Sequence, residues 1–274
     1  PRHPARHAAA EAAERGVVPR FAEWSFMIGD DRIFSWLEHR AGLRRLAHHP
    51  AKFETRSLEQ NEKGATFVAA FGQRQIRGFV GFVDLVDFST KVAGKSPSEI
   101  SNYLRPFLSG VINAARRCGA LIDKTIGDEV MFLIPEMSDD GGVPAVLSLG
   151  PLLKCLCQLR SDLNPHHAFR IGLSFGCLFV DRIEGEGYKE WTIVGETVQL
   201  AKRLTASSTV LGEAHALGSF GVLEREVDQA KFESILSTIA GFSSGITHVV
   251  PSERAQLKGI SAHRRATLVP KSKP

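Results

Sequence analysis

The 274-residue chain is poor in cysteine, has no long apolar run and has no marked excess of charge of either sign. Its four cysteines, Cys118, Cys155, Cys157 and Cys177, include no Cys-x-x-Cys pair, and all sit in apolar segments. That excludes a thiolate zinc site of the usual spacing and points to free thiols in a reducing compartment. No stretch approaches the ~18 consecutive apolar residues of a membrane-spanning helix. Pro1 to Arg20 lacks the apolar core of a signal peptide. The expectation is a soluble cytoplasmic protein with no membrane partner. The 34 Lys and Arg are interspersed with 30 Asp and Glu, for a net charge of +4. That balance suits anionic small ligands as readily as nucleic acid. No groove-reading motif occurs, so nucleic acid, which would be bound with steep salt dependence, ranks last as a partner.

What is present is a 43% apolar chain, enough for a sizeable core. Residues 1–76 read as an N-terminal extension, largely helical, with Phe21, Trp24, Phe26, Trp36 and Leu37 among its spaced apolar positions. Asn61-Glu62-Lys63-Gly64 reads as a polar turn between two strands. Residues 77–270 read as the main domain, opening with a buried strand from Arg77 to Asp84. Ser96-Pro97-Ser98-Glu99 carries both partners of a capping box, with Pro at the first helical position. Pro106 should kink the helix that follows, and Gly119 should end it. A hairpin is expected over 120–134 with Gly127-Asp128 in its turn, and a second helix from about Val143 to Leu159. Separate strands are expected on either side of Gly176-Cys177, then a strand at Trp191–Val194 and a helix from Glu196. The last part reads as a helix over 222–240 and strands near 246–250 and 266–269. Helices and strands interleave with hairpins, so the class is α+β, or mixed α/β.

Two aspartates stand out. Asp84 ends the apolar run Phe79-Val80-Gly81-Phe82-Val83, and Asp128 sits in Lys124-Thr125-Ile126-Gly127-Asp128. A carboxylate at the end of a buried strand is costly unless paired. Two of them close together suit a pair of divalent cations on a polyphosphate. His166-His167 has no third ligand nearby in sequence, and Glu129 reads as a solvent-facing strand residue.

From about Arg77 to Val269 the chain resembles the catalytic domain of class III nucleotidyl cyclases. Four segments carry the resemblance: Phe82 to Ser89, Lys124 to Asp128, Arg170 to Gly176, and Trp191 to Leu204. It implies a ferredoxin-like core and a head-to-tail homodimer with active sites at the interface. It also implies a nucleoside triphosphate substrate and two divalent cations per site, Mn²⁺ or Mg²⁺, on Asp84 and Asp128. The implied reaction is attack of the ribose 3′-oxygen on the α-phosphorus, expelling pyrophosphate and making a cyclic second messenger. Lys124 and Thr192 match the base-reading positions, Arg203 the arginine that stabilises the transition state, and Gln199 a ribose-orienting asparagine. Leu85, Val86, Asp87, Phe88 and Ser89 match the phosphate loop, and Lys258 is a further phosphate-binding candidate.

Two positions depart from the family pattern. Gln199 stands in place of Asn, and Asp87 in place of Gly. Lys124 with Thr192 resembles the pair of many bacterial adenylate cyclases, which makes ATP the default substrate. Stand-alone bacterial members that make cyclic UMP or CMP in phage defence are similar in architecture, and Gln199 and Trp191 could narrow the pocket toward a pyrimidine. Adenine and pyrimidine stand level on the sequence alone. A catalytically silent nucleotide-binding module is the alternative, supported only by the loss of Asn at position 199.

Overall fold

The computed structural model describes residues 58, 62–136, 143–163, 167–207, 217–242, 246–249 and 257–270. The amphipathic pattern of residues 17–50 lies outside the described residues, as does most of the 1–76 extension. Described elements run α1 (Glu62–Phe71), β1 (Arg74–Leu85), α2 (Phe88–Val92), α3 (Pro97–Arg117), β2 (Leu121–Ile126), β3 (Glu129–Pro135) and α4 (Val143–Asp162). They continue with β4 (Phe169–Gly185), β5 (Tyr188–Val194), α5 (Glu196–Ser207), β6 (Gly218–Leu223), α6 (Gln229–Phe242), β7 (Ile246–Val249) and β8 (His263–Pro270).

The strands form one sheet in the order β2-β3-β1-β4-β6-β8-β7, with β5 hydrogen-bonded to β4. Every pairing is antiparallel except β4 with β6. The expected α+β fold with a ferredoxin-like core is what forms. Strand alternation divides β1 between two cores. Phe79, Val83 and Leu85 face a cluster that includes Phe107 and Val111 of α3, Leu149 and Leu153 of α4, and Phe232 and Leu236 of α6. Val80 and Phe82 face a second cluster with Phe67 and Val68 of α1, Ile193 of β5 and Ala201 of α5. Asp84 shares the alternation of Val80 and Phe82.

Several expectations hold. Ser96 accepts from Glu99 N–H while Glu99 accepts from Ser96 N–H, closing the capping box with Pro97 in the first turn. That bonding to Ser96 also holds the Glu99 carboxyl below its ordinary range. Gly119 takes φ 79° just past the end of α3, the left-handed geometry that stops a helix at glycine. Pro106 lies inside α3, which runs on through it.

Four local readings change. Glu62 to Gly64, expected in a turn between strands, opens α1 instead, because Gly64, Phe67, Val68 and Phe71 recur at helical spacing. β1 accordingly opens at Arg74. β4 is one 17-residue strand rather than two. Gly176 keeps the ladder to Gly78, and its missing side chain leaves room for Glu226, whose carboxylate accepts the Cys177 N–H at 2.6 Å. Finally, the helix expected from residue 222 starts only at Gln229, and Gly218–Leu223 is a strand buried throughout. A short run buried on both faces has no period by which to tell helix from strand. No helix among the described residues is long and apolar enough to cross a membrane.

Candidate active site

Asp84 closes β1, with Glu129 of β3 opposite on one side and Arg170 of β4 on the other. Arg170 donates two hydrogen bonds to Asp84 Oδ2, from Nη2 at 3.0 Å and from Nε at 3.3 Å. Asp128 sits in the β2–β3 turn, which Gly127 makes possible at φ 61°. The two aspartates meet. Burial pushes the Asp128 carboxyl up to about 6, helped by the charge of Asp84 and a hydrogen bond between the two side chains. Two carboxyl groups at hydrogen-bond range repel when both are ionised. A divalent cation between them relieves that repulsion, so the donor set fits one, with phosphate oxygens and water left to complete the oxygen shell. Among the described residues no set of three or more His, Cys, Asp or Glu side chains is arranged to hold a metal ion by itself.

Glu129 corrects its sequence reading. It is buried, not solvent-facing, and is ion-paired to Lys202 of α5. Burial nonetheless keeps its carboxyl above the ordinary range. Beside the pair, Val86 N–H bonds to Ala168 O at 2.8 Å, and the loop turns at Asp87 into the five-residue α2. Asp87 has φ 57° and an exposed side chain that makes no capping bond. A glycine suits that left-handed backbone better than any residue with a Cβ. Leu85 is buried, Val86 and Phe88 are half-buried, and Ser89 is exposed. Phe88, Tyr103 and His167 form a stacked column, with ring centroids 6.4 and 4.3 Å apart. Burial raises the Tyr103 phenol, and the charge of Asp128 adds to the shift, so this column stands next to the carboxylates.

The remaining residues gather elsewhere. Tyr188, Glu190 and Thr192 alternate along β5 and so share a face. That face meets β2. Lys124 Nζ donates to Glu190 Oε1 at 2.9 Å and lies 3.6 Å from Asp123 Oδ2. Thr192 Oγ1 donates to the same Asp123 oxygen at 3.3 Å, and the Tyr188 hydroxyl donates to Glu190. Burial pulls the Lys124 ammonium down, but its bond to Glu190 and the Asp123 charge outweigh this and leave it raised. Trp191 points away from this cluster. It packs on the α1 side of the sheet, with its ring over Gly72 and the Arg182 guanidinium 5.8 Å from it. A pocket narrowed by Trp191 is therefore not what forms.

Gln199 and Arg203 lie four residues apart on α5 and share an exposed helix face. Lys258 is exposed in the turn before β8. Leu257 and Ile260 on either side of it pack on Leu200 and Leu204 of α5, and Ser261 N–H bonds to Glu196 at 2.6 Å. The structure thus joins Asp84 to Asp128 and Lys124 to Thr192, and sets Gln199, Arg203 and Lys258 on or against α5. It adds three residues to which the sequence assigned no role: Arg170, Tyr103 and Asp123. Arg170 stood within a quoted motif, and Asp123 beside Lys124; only strand register reveals what they face.

No family model matches the chain. Over 127 residues it is 28% identical to an adenylate cyclase of Streptomyces griseus, covering 46% of this chain and 28% of that protein. Over 134 residues it is 29% identical to an adenylate cyclase of Anabaena cylindrica, covering 48% and 24%. Its fold superposes on the adenylyl cyclase CyaB from P. aeruginosa with a TM-score of 0.54 at 19% identity, covering 73% of this chain and 96% of that one. The chain thus resembles adenylate cyclases over about half its length and has the fold of the class III cyclase catalytic domains. The same cyclase fold appears in the guanylate cyclase domain of RhGC from Catenaria anguillulae, solved with GTP, at a TM-score of 0.50 and 15% identity over 73% of this chain and all of that one. The chain spans about a quarter of the length of the curated cyclases it matches.

Proposed function

We propose that the protein is a nucleotidyl cyclase that converts a nucleoside triphosphate to its 3′,5′-cyclic nucleotide and pyrophosphate in a homodimer with shared sites. The observation that carries this reading is the meeting of Asp84 and Asp128 at the ends of buried strands, beside Arg170. One protomer supplies that carboxylate pair, which would hold two divalent cations, Mn²⁺ or Mg²⁺. When bound, these lower the charge on the triphosphate and favour ionisation of the ribose 3′-hydroxyl. Arg170 adds a fixed positive charge, and the 85–89 loop brings backbone amides to the phosphate side. The partner protomer supplies Lys124 and Thr192 against the base. It also supplies Gln199 against the ribose and Arg203 against the negative charge that grows as pyrophosphate departs. Lys258, docked on α5, stands with Arg203 as a phosphate contact.

Dimerisation has its own support. Ile126, Phe179, Ile183, Tyr188 and Val194 are large apolar side chains left exposed on the β2 tip and the β4–β5 arm. They flank Lys124 and Thr192, and a second copy would cover them. The curated relatives are adenylate cyclases, which favours ATP as substrate.

The test is incubation of the full chain with ATP, GTP, CTP and UTP in parallel, with Mn²⁺ or Mg²⁺, and identification of products by mass. A 3′,5′-cyclic nucleotide with stoichiometric pyrophosphate is expected. Measurable nucleotide binding with no turnover of any of the four would replace this reading with that of a silent module.

A further inference from the structure

Asp123 takes no part in the mechanism above, yet it lies at the centre of the cluster that reads the base. Neighbouring residues of a strand point to opposite faces. β2 breaks that rule at this position, because its register with β3 shifts between Ile122 and Lys124. Such a bulge re-aims a side chain. Here it turns Asp123 and Lys124, consecutive in sequence, toward the same face of β5. The Asp123 side chain is fully buried, and its Oδ1 has no hydrogen-bond partner among the described residues. A buried carboxylate with an unpaired oxygen is an expensive feature in a core.

We propose that Asp123 is the positioning residue that sets the hydrogen-bond polarity of the base pocket, so that the enzyme selects adenine or cytosine over guanine and uracil. The inference rests on the cyclase reading. A threonine hydroxyl has one proton and two lone pairs. Thr192 gives that proton to Asp123 Oδ2, leaving its oxygen able only to accept. A lysine ammonium has three donors. Lys124 spends one on Glu190 and directs another toward Asp123, which leaves one for a ligand. The pocket therefore offers one donor beside one acceptor. Adenine and cytosine present the complement, a ring nitrogen that accepts next to an amine that donates. Guanine and uracil present the reverse, a ring N–H next to a carbonyl oxygen. The choice that this pocket makes is between an amino and an oxo edge, not between purine and pyrimidine.

The same geometry gives a second readout. The charged groups around Asp123 are Lys124 on its own strand and Glu190 on β5, itself hydrogen-bonded by Tyr188. Burial is the largest influence on Asp123 and pushes its carboxyl up to about 7. Once protonated, it donates to Thr192 and frees the threonine proton for a carbonyl. Selectivity then relaxes as pH falls from 8 to 6. A ratio of two substrates cancels any common effect of pH on metal binding or chemistry.

The experiment measures kcat and KM for all four triphosphates with wild type, Asp123→Asn, Thr192→Val and the double variant, at pH 6, 7 and 8. Wild type should prefer ATP or CTP over GTP and UTP. Asp123→Asn should reduce that preference about ten- to a hundredfold, the scale of one mispaired buried group. The loss should fall mainly on KM, and the double variant should lose no more than the larger single loss. Wild-type preference should shrink at pH 6, and that of Asp123→Asn should not. A folded Asp123→Asn with unchanged preference overturns the proposal. If Asp123→Asn does not fold, the wild-type pH series decides, and a flat ratio overturns it. A wild type that favours GTP or UTP overturns the polarity argument while leaving the cyclase reading intact. No product from any triphosphate removes both.

Discussion

Asp123 also makes a prediction about stability that needs no substrate. Its carboxyl ionises near 3.8 in an unfolded chain and near 7 in the folded one. The folded state therefore binds the proton more tightly. Asp123 leaves stability intact below pH ~4 and subtracts from it as pH rises toward 7. The difference of 7 − 3.8, at ~1.36 kcal/mol per pH unit, gives a loss of about 4 kcal/mol over the whole window. About 2 to 3 kcal/mol of it falls between pH 5 and pH 8. Asp123→Asn removes the titration. The assay is urea unfolding of wild type and variant at half-unit steps from pH 5 to 8, with the midpoint difference plotted against pH. Asp128 and Glu129, whose carboxyls are raised in the same direction, are present in both proteins and cancel in the difference. The variant should gain on wild type by about 2 to 3 kcal/mol across that range, or roughly 5–10 °C in Tm for a domain of this size. Parallel curves would show that Asp123 is already ionised at pH 5 in the folded protein, as in the unfolded one, and the argument that burial raises it, with the predicted relaxation of selectivity at pH 6, would fail.

Three further outcomes are expected. Asp84→Ala and Asp128→Ala should each reduce turnover at least about a hundredfold with far-UV circular dichroism unchanged; near-wild-type turnover in either would exclude the carboxylate pair as the metal site. Asp87→Gly should stabilise the fold by about 1 kcal/mol, since φ 57° costs a residue with a Cβ about that much; a lower urea midpoint would show that the Asp87 side chain contributes something its exposure conceals. Gly172→Ala should destabilise by about 1–3 kcal/mol and lower kcat, because its Cβ would meet Ala201 O and Thr205 Oγ1 at 2.1 Å and push α5 off β4; an unchanged midpoint and rate would mean that α5 is not seated by that contact.

The carboxylate half of the candidate site is legible in the sequence because its residues are carried by local signals. A buried strand ending in Asp84 and a turn glycine before Asp128 are readable from pattern alone, and so is the capping box of α3. What escaped depends on pairing across the sheet. Arg170 matters because register sets it opposite Asp84, and no local pattern encodes that register. Glu129 looked solvent-facing because its partner, Lys202, lies on a helix 73 residues away. Asp123 was missed because a bulge cancels the alternation on which strand readings depend. The end of the buried strand Gly218–Leu223 reads as the start of a helix at 222 because a short segment buried on both faces shows neither period.

Among the described strands β5 pairs only with β4, at the margin of the sheet. Its residues 188, 190 and 192 line the face that meets Asp123 and Lys124 of β2, whereas Asp84 and Arg170 lie at the ends of β1 and β4 and Asp128 in the β2–β3 turn. The arm is therefore modular. On the proposed function, substitutions along one face of β5 would alter which base is read while the carboxylate pair stays fixed in the core strands. On that reading, base preference would drift at the edge of the scaffold without disturbing Asp84, Asp128 or Arg170.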